Sequence, residues 1–131
     1  MHPLAGLWIA NLEKSRRHAN HQFERATMTI TIGAGEVALA YEGINASGKP
    51  EASVQTMHAD GVEHPIPQAP GFVAVSTLGE RRLEAVGKKD GAVLGRGVYE
   101  VSDDGQTMTA TVSGIDGAGK DFAQVIVFDR G

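Results

Sequence analysis

Phe23-Glu24-Arg25-Ala26-Thr27-Met28-Thr29-Ile30-Thr31-Ile32, then Gly33-Ala34-Gly35, then Glu36-Val37-Ala38-Leu39-Ala40-Tyr41-Glu42-Gly43, is the stretch that decides the fold. Its period is two. Ala26, Met28, Ile30 and Ile32 fall on one side of the first run, with threonines on the other, and Val37, Leu39 and Tyr41 oppose Glu36, Ala38, Ala40 and Glu42 in the second. Such alternation is the mark of half-buried strands, and three small residues between them make a hairpin.

The rhythm extends in both directions. Downstream it predicts strands over 51–58, 62–66, 72–78, 81–86, 92–101, 106–113 and 121–129. These are punctuated by Asn45-Ala46-Ser47-Gly48, Asp60-Gly61, Pro70-Gly71, Asp90-Gly91, Asp103-Asp104-Gly105 and Asp116-Gly117-Ala118-Gly119. Asp60-Gly61 reads as a two-residue hairpin. Pro65 and Pro67 consign 62–66 to an edge, a gap or a rim. Upstream, Gly6-Leu7-Trp8-Ile9-Ala10 is a short strand, and the polar run 11–20 allows one or two helical turns capped by Asn11. About ten strands joined by turns too short for crossovers must pair antiparallel, mostly up and down. A meander of that length exposes two long edges unless it closes, which predicts a β-barrel.

Composition agrees with this class. The 131 residues suit one domain, 1–131, with one core. Hydrophobic residues make up 41% but aromatics only 5%, and there are 17 glycines. The core therefore consists of Val, Ile, Ala, Leu and Met between many turns. A formal net charge of −4 without a basic block argues against nucleic acid as a partner. The absence of cysteine removes disulfides, thiolate catalysis and cysteine-bound zinc. No run of roughly 18 apolar residues is present, so no helical membrane span is predicted. The reading is a soluble, cytoplasmic chain as written, or a periplasmic or secreted one where a leader has been removed.

Gly6-Leu7-Trp8 at one end and Asp129-Arg130 at the other resemble the calycin group, the lipocalins and fatty-acid-binding proteins, where Gly-x-Trp opens the first strand and a basic residue near the barrel's end packs over the indole. Trp8, the only tryptophan, together with the Asp-Gly and Ser-Gly-Lys hairpins and the Asp-Arg end, is also similar to small uncharacterised bacterial lipocalin-like proteins. The resemblance implies that Trp8 and Arg130 close one end of the barrel, a guanidinium lying on the indole face while donating to carbonyls. It also marks departures. Residues 11–20 are too few for the helix pair of fatty-acid-binding proteins, and Ile126-Val127-Phe128 stands where those proteins carry an Arg-x-Tyr carboxylate clamp.

In a barrel, alternate residues of each strand face inward, so polar residues in phase with apolar ones are pocket candidates. The lumen is expected from Met28, Ile30, Leu39, Met57, Phe72, Ile126 and Phe128. Its polar anchors are drawn from Tyr41, Gln55, Arg96 and Gln124, with Tyr99 opposite in phase to Arg96. His58 and His64 flank Asp60-Gly61, and a hairpin would set them on neighbouring rungs as a general base or metal pair with Asp60 or Glu63, or leave them as wet rim residues. His18 and His21 read as solvated loop residues. Gly43-Ile44-Asn45-Ala46-Ser47-Gly48-Lys49 echoes Gly114-Ile115-Asp116-Gly117-Ala118-Gly119-Lys120, either as two hairpins solving one turn or as a duplication.

Three functions follow. The first is binding of a small hydrophobic molecule in the barrel, without cofactor or metal. The second is a cofactor-independent isomerase or lyase with a histidine base and Arg96 or Tyr41 at an oxyanion. The third is an interaction domain, including a homodimer, pairing through an edge strand near 62–67.

Overall fold

The computed structural model describes residues 2–16, 23–66, 70–115 and 119–131, with backbone alone at Arg16 and Phe23. Ten strands form one antiparallel sheet: β1 (Gly6–Arg16), β2 (Phe23–Gly33), β3 (Glu36–Asn45), β4 (Pro50–His58), β5 (His64–Pro65), β6 (Phe72–Leu78), β7 (Arg82–Lys89), β8 (Ala92–Val101), β9 (Thr107–Ile115) and β10 (Asp121–Arg130). Their spatial order is β4-β3-β2-β1-β10-β9-β8-β7-β6-β5, so chain neighbours are sheet neighbours everywhere except between β4 and β5, and the first strand pairs with the last. The result is a nearly closed up-and-down barrel with one gap.

The register fixes which side chains face in, because directly opposed residues share a face. Trp8 opposes Met28, Met28 opposes Tyr41, and Tyr41 opposes Ser53. On the other wall Phe128 opposes Met108, Met108 opposes Val101, and Ile126, Ala110 and Tyr99 form the next row. The buried core of Leu4, Trp8, Ile30, Val37, Leu39, Met57, Leu83, Val101, Met108, Ala110, Ile126 and Phe128 belongs to this inner face. Its largest fully buried side chains, Trp8, Leu4, Ile30, Leu83, Met108 and Val37, gather toward the end where the chain enters β1.

Three local expectations change. First, residues 11–16 continue β1 as an irregular strand instead of turning into a helix. Asn11 opposes Val127 and Arg16 opposes Val125, so the extra residues bulge out. Ser15 Oγ repairs the ladder there, donating to Asn11 O at 2.7 Å and accepting from Val127 N at 2.9 Å. Asn11 does accept from Lys14 N, at 3.3 Å, but the β10 ladder wins over the helical turn. Residues 17–20 lie outside the described residues.

Second, Asp60-Gly61 is not a hairpin. Only Gly61 has a positive φ of 75°, β4 and β5 do not pair, and Asp60 bridges Thr77 of β6. The strand expected over 62–66 shrinks to His64–Pro65, since a proline lacks the N–H that a longer ladder needs. Two-residue turns with both φ positive form instead at Ala34-Gly35 (50° and 80°) and Asp90-Gly91 (52° and 80°), the geometry that matches strand twist. Third, β8 keeps continuous register with β9 from Gly95 to Val101. Buried Val101 therefore sets its phase, which turns Tyr99 inward and Arg96 outward.

Candidate functional site

The two ends of the barrel are built differently. At the β1 end, residues 2–5 cross the opening. Leu4 is fully buried, Trp8 Nε1 donates to Leu4 O at 2.8 Å, and the guanidinium of Arg130 lies 3.9 Å over the indole ring. Arg130 donates to Ala5 O (2.7 Å), Pro3 O (2.6 Å) and Gly105 O (3.1 Å), tying both termini to the β8–β9 turn. His2 adds a bond from Nε2 to Gly79 O at 2.7 Å while Nδ1 accepts from Leu4 N at 3.1 Å, which sets its tautomer. This end is a plug.

The opposite end is lined by small residues. Its inner positions include Ala26 and Gly43 on β2 and β3, Gly87 on β7, Gly95 and Gly97 on β8, and Gly114 on β9. Two glycines are fixed by space and not by backbone conformation. A Cβ at Gly43 would lie 2.7 Å from both Arg25 O and Tyr41 Oη, and one at Gly114 would lie 2.7 Å from Leu94 O and 3.2 Å from the Phe122 ring. The echo between 43–49 and 114–120 is thus, in structural terms, a matched pair of glycines at which neighbouring strands approach closely beside an aromatic ring.

Those glycines seat the tyrosines. Tyr41 lies along β3 against Gly43, and Tyr99 lies along β8 with its ring 3.4 Å from the Cβ position of Gly97. Both rings therefore lean from mid-barrel toward the open end. Within the described residues neither phenol oxygen has a hydrogen-bond partner, and no buried polar side-chain atom there lacks one. The phenols accordingly border open space. Burial raises the pKa of Tyr41, with the charge of Glu51 adding to it, and burial alone raises that of Tyr99. Both remain protonated donors at neutral pH.

The inner wall near them holds Gln55 and Ser53 on β4, Val112 on β9, and Phe122 and Gln124 on β10. Met57, Ile126 and Phe128 are buried deeper, toward the plug. Phe72 shares the inner phase of β6 with Ser76 and Leu78 and stands at the open end, with Lys89 Nζ 5.0 Å from its ring centre. At the rim, a cavity of about 490 Å³ beside the β3–β4 hairpin touches both faces of the sheet, Ala26, Gly43 and Glu51 on the inner one and Arg25, Thr27 and Glu42 on the outer, and one of about 270 Å³ likewise touches Gly95, Gly114 and Phe122 within and Arg96 and Ser113 without. Arg96 is not part of this wall. It bonds Glu84 at 2.9 Å on the outer surface, within reach of Arg82 on the same carboxylate. Sequence phase failed for β8 because glycines at 95 and 97 hide the alternation. Val101, the last residue of the strand, carried the signal that places Tyr99.

His58 and His64 do come together, with ring centres 5.1 Å apart and planes tilted by 44°. They meet across the gap between β4 and β5, not on rungs of one hairpin: His58 stands opposite Glu36 near the plugged end, and His64 stands opposite Ala74 in the inner phase of β6. Asp60 accepts from His64 Nε2 at 2.9 Å and from Val62 N at 3.0 Å, bonds that hold its pKa below the ordinary carboxylate value. Glu63 turns instead to Lys88. Among the described residues no group of three or more histidines, cysteines or carboxylates is arranged to hold a metal, and no helix is long and apolar enough to cross a membrane. His18 and His21 lie outside the described residues.

No protein-family model matches this chain, and no curated protein matches it by sequence. Solved structures do. The fluorescent protein UnaG superposes with a TM-score of 0.62 at 18% identity, over 97% of this chain and 96% of that one. Zebrafish ileal bile acid-binding protein, solved with cholic acid, gives 0.59 at 7% identity over 98% and 99%. The siderocalin Ex-FABP, described as functioning through dual ligand specificities, gives 0.51 at 11% identity over 98% of this chain and 74% of its own. At these identities the likeness establishes the fold alone, a ten-stranded antiparallel barrel of the kind these proteins share.

Proposed function

We propose that this barrel binds one small hydrophobic molecule in its open half, between the walls carrying Tyr41 and Tyr99. The observation that carries the reading is the pair of inward phenols, each leaning over a glycine toward the open end and neither bonded within the described protein. A phenol held in apolar surroundings gains most from an acceptor atom on a ligand, since an unmet donor there costs about 1–3 kcal/mol. Apolar contact with Phe72, Val112, Phe122, Leu39 and Ile126 would supply the bulk of the affinity at roughly 25 cal/mol per Å². Gln55 and Gln124 lie on the same wall and would select orientation.

The chemistry of the wall narrows the ligand. Among the described residues the inward cations are Arg130, committed to the plug, and Lys89 at the rim, while the carboxylate of Glu51 stands beside Tyr41. An uncharged molecule with carbonyl, ether or hydroxyl oxygens fits such a lumen better than a carboxylate does. The zebrafish relative and the siderocalin are ligand-binding proteins by their own descriptions, which favours the same class of activity here.

A catalytic reading would draw its base from His58 or His64. His58 points outward, out of phase with buried Met57, and His64 is tied to Asp60 in the β4–β5 gap, which favours binding over catalysis. The test is uptake of an uncharged, environment-sensitive dye, followed by displacement with neutral and acidic hydrophobes. One saturable site per chain is expected, with neutral compounds displacing dye better than carboxylates of equal size. Tyr99→Phe should weaken binding of an oxygen-bearing ligand about fivefold while leaving the melting temperature nearly unchanged. A barrel that takes up no dye, or one that prefers carboxylates, would sink the proposal.

A further inference from the structure

The sheet has two free ends, and they are guarded unequally. At one end β5 is two residues long and contains Pro65, and the chain around it already bonds β6 through Gly61 N to Ser76 O, Ile66 N to Phe72 O and the Asp60–Thr77 bridge. That edge is short and proline-bearing. At the other end β4 runs for nine residues and has β3 as its one sheet neighbour. Its ladder to β3 is unbroken from Glu36–His58 to Ile44–Pro50, with no bulge to twist the free edge away.

Eight of its nine residues are exposed, on both faces, and Val54 at 68% is the most exposed large hydrophobic residue described. Lysine, bulges, shortness and internal proline are the usual protections for an edge. β4 has none of these, apart from Pro50 at its first position and Glu51 beside it. A row of backbone donors and acceptors therefore lines the gap without sheet partners among the described residues.

We infer that the occupant of this edge is a second copy of the chain, with β4 pairing antiparallel to β4 about a two-fold axis at Val54. The β4 sequence, Pro-Glu-Ala-Ser-Val-Gln-Thr-Met-His, is self-complementary in that register. Val54 meets Val54, Ser53 meets Gln55, Ala52 meets Thr56 and Glu51 meets Met57, so no like charges face each other. Odd residues oppose odd ones, so inner positions stay with inner positions. On the outside, Ala52, Val54 and Thr56 from both copies make an uncharged strip continuous with Ala38 and Ala40 of β3. A nine-residue edge is about 30 Å long and would bury on the order of 1,000 Å² in total, the low end of specific interfaces, which predicts a dimer with a dissociation constant in the micromolar range.

The chain contains no cysteine, so single-cysteine variants report on the register cleanly. Opposed residues of an antiparallel pair have Cα atoms about 4.5–5.5 Å apart, within disulfide reach. Val54→Cys should therefore form a covalent dimer under mild oxidation. Thr29→Cys, outward on β2 and two strands from the edge, should not. Sedimentation velocity on the unmodified protein should show concentration-dependent dimerisation, and Val54→Lys, which sets two ammonium groups across the axis from an outward position, should weaken it roughly tenfold with the fold retained. A monomer at every concentration overturns the inference, and so does crosslinking through Thr29→Cys as efficient as through Val54→Cys, which would mean face-to-face packing.

Discussion

The plugged end and the open end of this barrel are made from the same ten strands, yet they use their residues in opposite ways. At the plugged end an indole, a guanidinium and a segment of the N-terminus fill the lumen, and every donor of Arg130 that is used goes to a carbonyl. At the open end glycines withhold side chains, so that two phenols occupy space with nothing bonded to them in the described protein. Stability concentrates where packing is complete, and binding capacity where it is withheld. The same trade explains why Met57, Ile126 and Phe128 are buried core residues while Gln55 on the same wall is exposed.

The sharpest way to break this contrast is at the plug. Trp8→Ala removes the largest fully buried side chain and leaves the guanidinium without its ring, so denaturant unfolding should show a loss of about 3–5 kcal/mol. Under conditions where that variant still folds, dye affinity should stay within about threefold of the parent, because both phenols lean away from the plug, over Gly43 and Gly97. A large loss of affinity in the folded variant would mean that the ends are coupled.

Next in size is the open end itself. Gly43→Ala sets a methyl 2.7 Å from Arg25 O and from the Tyr41 hydroxyl, so it should cost roughly 1–3 kcal/mol by overpacking and also weaken dye binding as the ring is displaced. Stability lost without any change in binding would detach Tyr41 from the site.

The smallest effect sharpens the comparison of the two phenols. Both have pKa values raised in the folded state, so their contribution to stability is fully present below about 10, the unfolded value, and is lost as pH rises through the folded values. Ultraviolet titration should place both tyrosines above a free tyrosine. Glu51→Gln should bring Tyr41 down while leaving Tyr99 in place, since the carboxylate acts on the first alone. Two tyrosines titrating as free ones would mean that the open end is simply solvent.

Much of this architecture was legible in the chain because period-two alternation is a local property. The faces of β2 and β3 follow from their threonine and valine–leucine–tyrosine rhythms, and the antiparallel order follows from turns too short for anything else. Reading failed where local and distant demands compete. Asn11 has the chemistry of a helix cap and makes a cap-like bond to Lys14 N, yet β10 draws residues 11–16 into a bulged strand. Asp60-Gly61 has hairpin chemistry, but Pro65 shortens the following strand and the Asp60 carboxylate bonds Val62 and His64 instead. His58 and His64 consequently meet across a gap and not on a ladder.

The sequence by itself determined that this is an antiparallel, up-and-down β-barrel of small residues, since alternation and turn length allow no other packing of such a chain. Only the tertiary structure decided which residues line the open half. β8 reads equally well in either phase until Val101 meets Met108 across the ladder, and that contact turns Tyr99 into the lumen and leaves Arg96 outside with Glu84. The phase of a glycine-rich strand is set by its neighbours, because a residue without a side chain has no preference for either face.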